Sequence, residues 1–160
     1  MKRLILAAVV SAAALVAPAA QAQGFTSGQF NVTITLNSAC TLGAISPVTF
    51  TYTSLGGLAN SAGGGFNVSC TSGLSYTFGL EEGTATPPTT VPGAPNISVL
   101  DDDVNLTYQL NAPAGGVGNG GAVAHTISGT IAGGQAGTCN AASCDNLAAT
   151  NRTHTLIVNY

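Results

Sequence analysis

The feature that most constrains this chain is a two-residue alternation of apolar and polar side chains, repeated along most of its length. Phe30, Val32, Ile34 and Leu36 alternate with Gln29, Asn31, Thr33 and Thr35. Val48-Phe50-Tyr52, Phe66-Val68-Cys70 and Leu74-Tyr76-Phe78-Leu80 repeat the pattern, and Leu156-Val158-Tyr160 closes it. Successive side chains of a strand point to opposite faces, so this period places each apolar set on one face of a half-buried strand. Residues 97–100, 104–110 and 123–131 are further strand candidates, with Thr recurring in the outward phase. β-Branched side chains suit that surface. Beyond the first 22 residues no stretch keeps a helical period for three turns. Glycines at 56–57, 63–65, 115–116 and 133–134 separate the runs, and residues 86–95 hold Pro87, Pro88, Pro92 and Pro95. Proline cannot donate to a ladder, so that stretch is excluded from a central strand. Short strands at this spacing predict an all-β antiparallel sandwich or barrel.

Length and charge narrow the function classes. A chain of 160 residues is one domain's worth of material. Charged residues make up 6% and apolar ones 45%. Disordered chains combine low hydrophobicity with high net charge, which is not this composition. Lys and Arg total 3, two of them at Lys2 and Arg3, so no basic surface for nucleic acid can form.

Met1-Lys2-Arg3, an apolar run over 4–16 and Ala20-Gln21-Ala22 have the layout of a secretory signal peptide cleaved after Ala22. The run is shorter than the roughly 20 residues a membrane-spanning helix needs. Cleavage leaves Arg152 as the one base against the 6 acids. Export makes Cys40, Cys70, Cys139 and Cys144 disulfide candidates. Of the three possible pairings, Cys40–Cys70 is expected across neighbouring strands, because each cysteine sits in an alternating segment, Thr33 to Leu42 and Phe66 to Ser72. Cys139–Cys144 then closes a small loop. A zinc site is the poorer reading, since no histidine or second cysteine pair lies near that C-x4-C.

The order of motifs resembles the spore coat protein U domain family, the subunit domain of archaic chaperone–usher pili. The pieces that carry the resemblance are Phe30-Asn-Val32-x4-Asn37-x2-Cys40, Val48-Thr-Phe50-Thr-Tyr52, and Phe66-Asn-Val68-Ser-Cys70-Thr71-Ser-Gly73-Leu-Ser-Tyr76. They continue with Leu106-Thr-Tyr108-Gln-Leu110, Ile127-Ser-Gly129-Thr-Ile131-x3-Gln135 and Thr155-Leu-Ile-Val158-Asn-Tyr160. Three features depart from the family's pattern: the Pro-rich 86–95, the Ala- and Gly-rich 112–121, and the insert carrying Cys139 and Cys144.

The resemblance implies an immunoglobulin-like antiparallel β-sandwich that lacks one strand, supplied by a neighbouring subunit or by a periplasmic chaperone. It implies a signal peptide over 1–22, a donor extension over 23–36 and a pilin domain over 37–160. Phe30, Val32, Ile34 and Leu36 would be the donor residues. Leu156, Val158 and Tyr160 of the last strand would pair with the chaperone. The partners implied are other pilin subunits, the chaperone and an outer-membrane usher. The place implied is the periplasm in transit and then a cell-surface fimbria that serves adhesion or biofilm formation. On pattern alone, Phe30 to Leu36 reads better as the first strand of a self-complete sandwich, and it is the resemblance that reverses that preference.

Other chemistry is sparse in the sequence. No cofactor, metal or catalytic role is expected. His125 and His154, with Asp101 or Asp145 and a serine, supply triad composition but no G-x-S-x-G motif. Asp101-Asp102-Asp103 lacks calcium-loop spacing and reads as a solvated turn; Glu81-Glu82-Gly83 reads as a turn after the 74–80 strand. Sequons at Asn31, Asn67, Asn96, Asn105 and Asn151 arise readily in Asn- and Thr-rich strands. The competing function classes are a monomeric secreted β-sandwich that binds carbohydrate or another surface ligand, and a secreted coat protein. A lectin would be expected to show Trp or Tyr in its loops, and Trp is absent.

Overall fold

The computed structural model describes residues 24–84, 88 and 92–160, so the signal-peptide reading of 1–22 and much of the Pro-rich stretch lie outside the described residues. The chain divides into two units, Met1–Thr35 and Leu36–Tyr160. In the first, residues 24–35 form no strand, and Phe25, Phe30, Val32 and Ile34 are exposed. The alternation there is therefore strand-competent sequence without a strand partner.

The second unit is all-β among the described residues, and every pairing in it is antiparallel. One layer begins with β1 (Cys40–Leu42) against β5 (Gly65–Cys70), which pairs in turn with β10 (Ala122–Thr126). It continues with β3 (Ala59–Asn60), β11 (Ser128–Ile131), β8 (Thr107–Asn111) and β7 (Asn96–Leu100), in that spatial order. The other layer is β12 (His154–Asn159), β6 (Ser75–Glu82) and β9 (Gly116–Val117). A short pair, β2 (Val48–Thr49) with β4 (Ala62–Gly63), completes the set. No sheet closes into a barrel, and the result is a β-sandwich.

Residues 59–70 and 122–131 act as one long ribbon, kinked within the run predicted as continuous over 123–131. The N–H of Ile127 donates to Gly64 O, and that of Ser61 to Gly129 O, on either side of the kink. Gly63 and Gly64 have φ of 77° and 74°, the left-handed region that other residues rarely adopt. A Cβ on Gly64 would also collide with Ile127 O. The glycines that look like a linker thus allow a bulge that re-aims the strand, and the predicted 123–131 strand becomes two.

The alternation meets the core as expected. Phe66, Val68 and Cys70 of β5 face Tyr76, Phe78 and Leu80 of β6, with Val99, Tyr108, Leu110, Ile127 and Ile131 completing one buried cluster. Phe78 lies edge-on to Phe66 at 5.3 Å and to Tyr76 at 5.4 Å, a favourable aromatic geometry. Cys40–Cys70 bridges β1 to β5, and Cys139–Cys144 closes the exposed loop.

Two acidic turns differ from the sequence reading. Glu81 and Glu82 lie within β6, and the turn starts at Gly83. The strand predicted over 104–110 begins only at Thr107, because Asp101 organises the preceding turn. Asp101 is only 1% exposed. Its Oδ1 accepts the N–H of Asp103 and Val104, at 3.0 and 2.9 Å, and its Oδ2 accepts Asn146 Nδ2 at 2.7 Å. Asp102 accepts the N–H and hydroxyl of Thr150, and the hydroxyl bond chiefly holds its carboxyl below the usual range. These contacts pin the 139–151 loop to the β7–β8 turn. Asp101→Ala strands donors that the carboxylate satisfied and is expected to cost about 2–4 kcal/mol. Thermal unfolding checks it, with a fall on the order of 10 °C; Asp102→Ala, at the surface, shifts the midpoint less.

Candidate functional site

Among the described residues, backbone hydrogen bonds join the two layers along one side. Leu80 of β6 and Ala94 exchange both backbone hydrogen bonds, just before β7, and β9 pairs with β6 shortly after the chain leaves β8. Along the other side the layers end on β1 and β12. Among the described residues no backbone group pairs with the outer edge of either strand. Such an edge presents a row of free N–H and C=O groups, ready to receive another strand.

The side chains of β12 are set by its register against β6. Leu156 pairs with Leu80 and Val158 with Phe78, so both take the inward phase of β6. They stay half-buried, packed on the core from one side, as does Cys40 of β1. Tyr160 lies beyond the strand's last residue and is 63% exposed. Ile157, absent from the sequence-predicted set, is buried on the opposite face beside Gly93. It pairs with Gly79, whose missing side chain leaves room for Pro92, and Asn159 Nδ2 donates to Pro92 O. Gly79, a glycine within the alternating β6 strand, was the sequence signal for this second buried face.

No protecting charge lies on this edge. β12 carries none apart from its histidine, and the usual devices that guard an edge, lysine and inward charge, are missing from it. The donor residues of the sequence reading, Phe30, Val32, Ile34 and Leu36, are exposed, with Phe30 at 85% and Ile34 at 84%.

The histidines take roles the sequence reading missed. His125 on β10 and the Tyr76 hydroxyl of β6 share a hydrogen bond of 2.9 Å, with the imidazole ringed by Phe66, Tyr76 and Phe78. His154 on β12 is bonded to the Tyr108 hydroxyl of β8 at 2.7 Å. Each bond joins one layer to the other. Each histidine thus bonds a tyrosine rather than a member of the triad compositions, and among the described residues no group of three or more His, Cys, Asp or Glu converges on a metal position. Burial, then the Asp101, Glu82 and Asp102 carboxylates, push the Tyr108 hydroxyl up to about 12. Burial also lowers the His154 imidazole, against the opposing pull of Glu82.

The family comparison fits this edge-bearing sandwich: the Spore Coat Protein U domain matches residues 26–155. The chain belongs to the Spore Coat Protein U domain family. The match takes in 26–35, the strandless segment before the sandwich, and runs into β12. Comparison with curated proteins and with solved structures gives no match. Within this Spore Coat Protein U domain, no described helix is long and apolar enough to cross a membrane.

Proposed function

We propose that this Spore Coat Protein U domain is a non-enzymatic structural subunit that polymerises by donor-strand exchange into a cell-surface fimbria. The observation that carries the reading is a pair of complementary deficits in one chain. Residues 30–36 alternate like a strand yet have none, and β12 is a strand with an unpaired outer edge. Strand addition satisfies both, with main-chain hydrogen bonds supplying affinity and alternate side chains entering apolar positions. Phe30, Val32, Ile34 and Leu36 act as the donor face, and Leu156 and Val158 line the accepting edge. Removal of a signal peptide at Ala22 would leave the donor near the new N-terminus. Before assembly, a periplasmic chaperone covers the edge, pairing along Leu156, Val158 and Tyr160, and an outer-membrane usher exchanges it for the next subunit. Adhesion or biofilm formation is the role such a fibre serves.

The experiment is a comparison by sedimentation of the exported chain with one that lacks residues 23–36. The parent is expected to form polymers and the truncated chain to remain unassembled without added donor. A parent chain that is a stable two-state monomer sinks the proposal.

A further inference from the structure

His154 is a titratable group for which strand exchange has no use, and it sits at the first position of the unpaired strand β12. Its Nε2 meets the Tyr108 hydroxyl across the sandwich at 2.7 Å, while Nδ1 is buried with no partner. Either neutral tautomer leaves Nδ1 unpartnered, but the two charge states are unequal. Neutral imidazole can take the tyrosine proton in a hydrogen bond on Nε2. The cation carries N–H on both nitrogens: Nε2–H can donate to the Tyr108 oxygen once Tyr108 turns its own proton away, but the positive charge is then buried with an Nδ1–H that finds no acceptor. Tyr108 remains a neutral hydroxyl throughout the physiological range and cannot neutralise the cation. Glu82, opposite His154 in the β6 register, favours the cation; burial outweighs it. Asp101 and Asp102, in the turn after β7, bear on Tyr108 rather than on the imidazole.

We propose that the His154–Tyr108 bond is a proton-sensitive clamp that holds the start of β12 to the opposite layer, and that acid releases it. The folded strand prefers the neutral imidazole, and the released strand takes up the proton more readily. The clamp is therefore intact above the ordinary histidine value of about 6.5 and weakens as pH falls below it. Acid would thus loosen the strand whose edge the proposed assembly uses. That consequence rests on the strand-exchange reading, whereas the release itself does not.

Hydrogen exchange on the exported full chain tests the clamp, with rates corrected for intrinsic pH dependence. Amides of β12 are expected to exchange several-fold faster at pH 5 than at pH 7, relative to those of β5. His154→Gln, which does not titrate, should abolish the difference, and His125→Gln should retain it. No difference in the parent chain, or an equal one in His154→Gln, overturns the clamp. Should that variant fail to fold, an NMR titration of the parent imidazole decides: a midpoint below 6.5 supports the clamp, and one at or above it refutes it. Sedimentation of the same samples reads assembly separately, so a monomer with acid-loosened β12 would refute the polymer and support the clamp.

Discussion

A chain carrying Val32→Asp and Ile34→Asp is expected to stay monomeric under conditions where the parent polymerises. Both side chains are exposed in the unassembled chain, so the substitutions should leave its own stability within about 0.5 kcal/mol. In the proposed strand-exchanged polymer each would enter an apolar position. The lost burial alone amounts to about 1.5–3 kcal/mol per side chain. Together that lowers the association constant by about 10²- to 10⁴-fold at 1.4 kcal/mol per tenfold. Placing carboxylates against Leu156 and Val158 adds to the loss, since an unpaired charge in apolar surroundings is costly. Sedimentation measures the outcome. Asn31→Asp with Thr33→Asp, on the other face of the same segment, should assemble far better. Equal behaviour of the two doubles would show that the face does not matter and would contradict strand insertion.

Phe78→Ala is expected to show the largest effect on the fold itself, about 3–5 kcal/mol of lost stability. The ring is buried at the meeting of the two layers, against Phe66, Tyr76 and His125, the last at 4.7 Å. A domain's whole margin is about 5–15 kcal/mol, so the variant should melt far below the parent or fail to fold. Phe30→Ala removes the same side chain from an exposed position and should leave the melting temperature of the unassembled chain unchanged. The contrast is measured by thermal unfolding of both variants. A loss below about 1 kcal/mol for Phe78→Ala would mean that the ring is not part of a packed core.

Much of the sandwich was legible in the sequence. The alternation of Phe66-Val68-Cys70 and Tyr76-Phe78-Leu80 predicted strands whose inward residues form the core. Inward phase is a local property, because adjacent side chains on a strand must take opposite faces. The kink at Ile127 was not legible, since it depends on which residues lie across from Gly63 and Gly64. Asp101 was misread for a similar reason. Its sequence context is that of a solvated turn, and only the arrival of Asn146 and the 139–151 loop buries it. Glu81 and Glu82 extend β6 because β12 pairs with them, a partner more than 70 residues away in sequence.

The candidate site divides the same way. By itself, the sequence determined the class of fold and the inward phase of Leu156 and Val158. Those follow from side-chain order and the two-residue geometry of extended backbone. The tertiary structure alone decided that β1 and β12 end their layers with outer edges unpaired among the described residues, and that Ile157 has a buried face of its own. It also placed each histidine on a tyrosine from the opposite layer. Whether a strand is an edge, and whether a polar group is buried, depends on what else is brought beside it. Those neighbours are set by pairings between distant segments, which no local pattern encodes.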